Sequence, residues 1–274
     1  MFEWYTHLCN YYEVSPEEAL ELGTRSSGRK PSLPGSKTCQ SVSEMTYEDI
    51  WALKNRDSIN DVMSFYKDQG AWSAFRQVVR HKDMEQLHIN YFNAAVQIGA
   101  LCENAHICEY GGGVAPFVTT LLKYVDPKSN FKVTVTDVDC EHLNFAKYRL
   151  NDIKEMRGLA NVELDFQTVT PDSLPDFTKD KLDVVLCFEV LEHVPSPLAA
   201  VKNIVDNTSS TGIYVENFIK HEPHDDEEDD GPDLVSARNE RDLYYDYLRS
   251  NMQMVSPTIE ESEKNPNVTR IWKK

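Results

Sequence analysis

The chain has 274 residues, a length that suits one large domain or one domain with an extension. Its 45 acidic residues exceed its 28 Lys and Arg, and the net charge of −17 repels nucleic acid and anionic membranes, so neither is expected as a partner. The six cysteines form no C-x-x-C pair, so neither a zinc ribbon nor a redox dithiol is indicated. With no apolar stretch of ~20 residues and no basic-then-apolar start, the sequence predicts a cytoplasmic protein.

Residues 1–104 are predicted to form a helical N-terminal extension. The sequence SPEE at 15–18 is typical of a helix start, and Gly23 is typical of its end. A polar loop over 24–37 precedes predicted helices over 46–70, 72–79 and 84–101. We expect this extension to cover the edge of the following sheet where ligands bind, at the carboxyl ends of its strands.

Residues 105–274 alternate between short apolar runs and helical patterns. Strands are predicted over 106–110, 132–136, 162–168, 182–188 and 212–218, with helices over 116–124, 141–156 and 197–207 between them. This order is typical of βαβ units and predicts an α/β, doubly wound, mostly parallel sheet. A helix over 236–252 and strand candidates over 253–259 and 267–272 complete seven strands.

A glycine-rich turn follows the first predicted strand, as Glu109-x-Gly111-x-Gly113. Glycines there let the backbone approach a ligand closely. A nicotinamide or flavin site would have a third glycine where this chain has Pro116, and would place a pyrophosphate beside Glu109, which would repel it. The turn therefore favours a ligand with positive charge and no phosphate.

Asp137 ends the second predicted strand, 26 residues after Gly111. An acid at this position can accept hydrogen bonds from both hydroxyls of a ribose. A ligand with a ribose, a cationic group and no phosphate describes S-adenosylmethionine.

Three sequence segments resemble those of a known family: ICEYGGG at 107–113, VTDVD at 135–139 and LDVVLCFEVLEHV at 182–194. With them the sequence resembles the class I S-adenosylmethionine-dependent methyltransferases over about 105–272. The resemblance implies a seven-stranded sheet with its last strand antiparallel, and methyl transfer from S-adenosylmethionine. The first hundred residues match only as a helical extension, which this family often uses as a substrate cap.

The resemblance also implies roles for individual residues. The expected cofactor contacts are Glu109, Gly111 and Gly113 for the methionine part, Asp137 for the ribose, Val138 for the adenine, and Phe188 or Glu189 on the methyl side. Two positions depart from the family pattern: its frequent third glycine is Ala115, and its frequent acid after the third strand is Thr170.

Further site residues are expected in the helical extension and after the fourth strand. Arg76 could pair with the cofactor carboxylate and Trp72 could contact the substrate, although aromatic residues at helical spacing more often pack. His193 and Glu192 are the candidate acid–base residues, with a capping and bracing role as the alternative.

The predicted function is methyl transfer to a nitrogen or oxygen of a small molecule. The alternatives are an inactive methyltransferase-like binding module and a protein or peptide methyltransferase. No metal is expected, and a homodimer is left open. The stretch 221–233 carries eight carboxylates and is expected to border the acceptor pocket.

Overall fold

The computed structural model describes residues 4–24, 58–69, 71–170, 173–218, 234–265 and 267–274. The predicted loop after residue 24, the first part of the helix predicted over 46–70 and the acidic stretch 221–233 lie outside the described residues.

A seven-stranded sheet forms the centre of the described chain, in the order β3-β2-β1-β4-β5-β7-β6. Its strands are β1 (His106–Tyr110), β2 (Phe131–Val138), β3 (Val162–Val169), β4 (Leu182–Phe188), β5 (Thr208–Asn217), β6 (Gln253–Ser256) and β7 (Arg270–Lys273). Strands β1 to β5 pair in parallel, and β7 runs antiparallel between β5 and β6. The α/β, mostly parallel fold is confirmed, with β1 and β4 at their predicted bounds.

Helices cover both faces of the sheet and its ligand-binding edge. They are α1 (Thr6–Tyr12), α2 (Pro16–Thr24), α3 (Ile59–Gln69), α4 (Ala71–Asp83), α5 (Glu85–Ile98), α6 (Pro116–Tyr124), α7 (Glu141–Met156), α8 (Pro197–Asn207), α9 (Val235–Asn251) and α10 (Ile259–Lys264), with a 3-10 turn at Leu191–His193. All five residues of β1 are buried, because helices pack on both faces of a parallel sheet. No helix in the described ranges is long and apolar enough to span a bilayer.

The N-terminal helices pack on the sheet domain through one apolar cluster. Leu8 of α1 and Phe75 of α4 are fully buried against Val114 after the glycine turn and Phe145 of α7. The ring of Tyr12 lies between those of Phe75 and Phe145, with centroids 4.9 and 5.8 Å away. The helical extension is therefore anchored beside the glycine turn. The domain boundary at residue 104 stays a prediction.

Several predicted elements have different bounds in the structure, among them α4 and β6. Helix α4 extends to Asp83, beyond the predicted end at 79. The strand predicted over 253–259 ends at Ser256, because Thr258 begins α10 with a capping box. The Thr258 hydroxyl accepts from the Glu261 N–H, and the Glu261 carboxylate accepts from the Thr258 N–H. The sequence TIEE at 258–261 carried this signal.

Candidate active site

A cavity of about 560 Å³ lies at the carboxyl ends of the parallel strands. Its walls come from the glycine turn, from the ends of β2, β4 and β5, and from α3, α4 and α5. The volume is in the range of small-molecule sites. The sequence-predicted residues that line it are Glu109, Gly111, Gly113, Asp137, Val138, Phe188, Glu189 and His193.

Two predicted site residues, Glu192 and Arg76, do not line this cavity. Glu192 lies in the 3-10 turn, and its backbone carbonyl accepts from the Leu234 N–H at 3.0 Å. Its side chain is buried, and the residue does not line the cavity. Arg76 lies on an exposed face of α4, also outside the lining. Trp72 lies in α4, but its side chain is outside the described part of the structure. The acid–base role of Glu192 and the cofactor contact of Arg76 stay predictions, although neither residue is among those that line the cavity.

The glycine turn depends on the absence of side chains at Gly111 and Gly113. Both residues have positive φ, at 65° and 55°. A Cβ on Gly111 would lie 2.5 Å from Cγ2 of Val190, and a Cβ on Gly113 would lie 2.5 Å from Oε1 of Gln77. Conformation and close packing both require glycine, so this turn is a narrow cradle between β4 and α4.

Glu109 occupies the N-terminus of α6. Its Oε1 accepts from the Phe117 N–H at 3.2 Å and its Oε2 from the Val118 N–H at 2.9 Å. Burial raises the pKa of Glu109 to about 8, although both N–H groups act in the opposite direction. The amides that would bind a phosphate are therefore already taken by the chain's own carboxyl group.

Asp137 connects the end of β2 to the glycine turn. Its Oδ2 accepts from the Gly113 N–H at 2.6 Å, and its Oδ1 accepts from the Val138 N–H at 2.7 Å. Burial raises the pKa of Asp137 to about 6, so at neutral pH the group is mostly ionised. Each carboxylate oxygen has a second lone pair that can accept from a ribose hydroxyl.

An ion pair joins α4 to the end of β4. Arg80 Nη1 donates to Glu189 Oε2 at 2.7 Å, and Nη2 donates to Oε1 in a bidentate arrangement. Glu189 has a φ of 55°, and its N–H donates to Oδ1 of Asn217 at 2.8 Å. Arg80 lines the cavity one helical turn after Arg76, the arginine that the sequence analysis predicted there.

Aromatic side chains form another part of the cavity wall. Phe188 stacks on Phe117 with centroids 4.5 Å apart, and Tyr91 lies 5.3 Å from Phe188. Met63 and Tyr66 of α3 line the same cavity. Such a surface suits an apolar ligand that displaces water.

Two histidines missed by the sequence reasoning lie beside this aromatic wall. His81 Nδ1 is 3.3 Å from Nε2 of buried His88, and His88 Nδ1 is 2.9 Å from the Thr120 hydroxyl. Burial lowers the pKa of His81 to about 3 and of His88 to about 4, so both rings are neutral at pH 7. Of these two histidines, only His81 lines the cavity. No sequence motif marked either residue, because they meet across two helices.

No group of three or more His, Cys, Asp or Glu side chains within the described ranges is arranged to hold a metal ion.

A parallel sheet with a glycine turn after β1 and a carboxylate after β2 defines a class of enzymes that bind a nucleoside-containing cofactor. Residues 82–239, more than half of the chain, match the family model described as a methyltransferase domain. The chain therefore belongs to this family, and its resemblance to the class I S-adenosylmethionine-dependent methyltransferases is confirmed. The family agrees with the expected enzyme class, and the activity and cofactor of the whole protein are taken up as proposals below. The glycine cradle, the phosphate-excluding Glu109 and the carboxylate of Asp137 fit S-adenosylmethionine.

Two curated relatives align with short parts of the chain. A ubiquinone biosynthesis O-methyltransferase of Aeromonas salmonicida (strain A449) is 38% identical over 91 residues, which are 33% of this chain and 35% of that protein. An enzyme of the same name from Pseudomonas putida (strain W619) is 29% identical over 69 residues, 25% of this chain and 28% of that protein. The alignments thus span about a third or less of each relative.

Solved structures of similar proteins include a SAM-dependent methyltransferase from Aquifex aeolicus. It has 16% sequence identity and a TM-score of 0.44, and the alignment covers 71% of this chain and 96% of that one.

Proposed function

We propose that this protein transfers the methyl group of S-adenosylmethionine to an oxygen of a small, largely apolar molecule. The observation that carries the proposal is one cavity lined both by Asp137 and the glycine turn and by the aromatic side chains of Phe117, Phe188 and Tyr91. The names of the curated relatives, both O-methyltransferases, support an oxygen nucleophile. An amine nucleophile remains the alternative within the same class.

The cofactor end contributes binding and orientation. In this proposal Asp137 accepts hydrogen bonds from the ribose, Gly111 and Gly113 leave space for the methionine part, and Val138 packs on the adenine. Bound S-adenosylmethionine would supply a methyl group already activated on a sulfonium. The protein's main contribution is then alignment, since holding two reactants in line replaces a bimolecular encounter.

The acceptor end contributes apolar contacts and one proton acceptor. Phe188, Tyr91 and Met63 would exclude water around the acceptor and fix the plane of a ring. His193 also lines the cavity and is the proposed base for the hydroxyl proton. An amine acceptor would need no base if it arrives unprotonated.

The test is incubation with S-adenosylmethionine carrying a deuterated methyl group. Separate reactions contain a panel of phenols, a panel of amines, or a mixture of peptides, and products are identified by mass spectrometry. Labelled phenols are expected from the native chain and not from Asp137→Ala. Labelled peptides without labelled small molecules would overturn the proposed acceptor class. Tight cofactor binding without any labelled product would favour the inactive binding module.

Cytoplasmic location and a homodimer also stay proposals. Light scattering of the purified chain gives the mass that decides between one copy and two.

A further inference from the structure

Gln77 of α4 lies directly over the glycine turn. Its Oε1 accepts from the Val114 N–H at 3.3 Å and would be the nearest atom to a Cβ on Gly113. A backbone N–H can only donate, so this bond requires the carboxamide oxygen to face the turn. The orientation of the Gln77 side chain is therefore fixed by the chain.

The amide nitrogen of Gln77 also lies close to the turn, 3.4 Å from where a Cβ on Gly113 would be. Nε2 has no hydrogen-bond partner among the described residues, and Gln77 lines the cavity. It carries two N–H donors that a ligand at the glycine turn can use.

Two other groups near the turn could bind an anion, but both already donate hydrogen bonds to carboxyl groups of the protein. The amides at the start of α6 donate to Glu109, and the guanidinium of Arg80 is held by Glu189. The methionine part of the cofactor carries a carboxylate, which needs donors when it leaves water.

We infer that Gln77 binds the carboxylate of the cofactor's methionine part through Nε2. This inference rests on the proposed placement of the methionine part at the glycine turn. It replaces the expected contact from Arg76, which lies on another face of the same helix. A neutral donor at this position suits the chain, because the carboxylate of Asp137 is close to the turn and would attract a cation.

The decisive variant is Gln77→Glu. It keeps an oxygen for the Val114 N–H but replaces the donor with an acceptor that repels a carboxylate. Gln77→Met has a side chain of similar length and removes both the oxygen acceptor and the N–H donors. The matched control is Gln86→Glu on α5, since Gln86 is exposed and its amide donates to Asn90 at 3.2 Å.

Calorimetric titration with two probes shows whether Gln77 contacts the amino-acid part of the cofactor or only its nucleoside. S-adenosylhomocysteine has the amino-acid part, whereas 5′-methylthioadenosine has the same nucleoside without it. Gln77→Glu is expected to weaken S-adenosylhomocysteine at least tenfold, because a hydrogen bond to a charged group is lost and repulsion is added. Its affinity for 5′-methylthioadenosine should stay within about twofold of the native value, as should both affinities of Gln86→Glu.

Three results would overturn the inference. Unchanged or tighter S-adenosylhomocysteine binding by Gln77→Glu would mean that Nε2 faces a hydroxyl or the ammonium group. Equal weakening of both probes would mean that the substitution disturbs the turn itself. If the native chain binds neither probe, the proposed function fails together with the inference, whereas in the first two cases the proposed function stands.

Discussion

Asp137 has two tasks at the level of the single residue. It binds the N–H groups of Gly113 and Val138, and it presents its remaining lone pairs to the cavity. Two aspartates two positions apart make a direct comparison possible, because Asp139 is exposed and does not line the cavity.

Asp137→Ala is expected to weaken S-adenosylhomocysteine more than tenfold, since each hydrogen bond to a charged group contributes ~1.5–3 kcal/mol. Asp139→Ala should bind with native affinity. The measurement is calorimetry, with thermal melts to show that both variants are folded. Equal affinities for the two variants would refute the ribose role of Asp137.

Alanine substitutions at Gly111 and Gly158 distinguish the effect of backbone strain from the effect of steric crowding. Both have positive φ, at 65° and 63°, but a Cβ on Gly158 meets nothing within 4 Å, whereas one on Gly111 meets Val190. Gly158→Ala should cost ~1–2 kcal/mol of unfolding free energy and leave cofactor affinity unchanged. Gly111→Ala should cost more and also weaken S-adenosylhomocysteine, as urea unfolding and calorimetry would measure. If the two substitutions behave alike, the turn is not a tight cradle.

At the scale of elements, His142 joins two helices. Its ring at the start of α7 is hydrogen-bonded to the Ser73 hydroxyl of α4 and is 3% exposed. Burial lowers its pKa from 6.5 to about 4. Between those values the unfolded chain binds a proton that the folded chain does not, so stability from this group is lost as the pH falls below 6.5.

His142→Gln should therefore flatten the pH dependence of stability. At pH 5 the native chain loses about 1–2 kcal/mol through this group relative to pH 7, because one pKa unit corresponds to about 1.4 kcal/mol. Urea unfolding of both chains at pH 5 and 7 measures the difference. The carboxyl groups whose pKa values are raised titrate in both chains, so their effect cancels. An identical pH dependence in both chains would contradict the neutral, buried state of His142.

At the scale of the whole molecule, the N-terminal helices depend on the sheet domain. Their apolar residues pack on Val114 and Phe145, and those contacts disappear when the segment is alone. A fragment of residues 1–80 should therefore show no cooperative thermal transition by circular dichroism, whereas the full chain should. A cooperative melt of the fragment would make it an independent domain and contradict its role as a cap.

Local patterns in the sequence predicted the sheet and the cofactor end of the cavity. The segments predicted as strands at 106–110 and 182–188 have the bounds of β1 and β4, because strands buried on both faces are rich in apolar residues. Gly111, Gly113 and Asp137 lie at strand ends, which the element order brings to one edge of the sheet. Their convergence follows from topology alone.

The residues contributed by α4 were decided by tertiary packing. Burial of Ala74, Phe75 and Val78 against the glycine turn and α7 sets the rotation of this helix about its axis. Gln77 and Arg80 then face the cavity, while Arg76 faces solvent. Successive side chains of a helix are about 100° apart around its axis, so the direction of each depends on how the helix packs. The sequence determined that a helix with these side chains exists, since periodicity is local. Only the folded chain determined which of them reach the cavity, since that depends on contacts between residues far apart in the sequence.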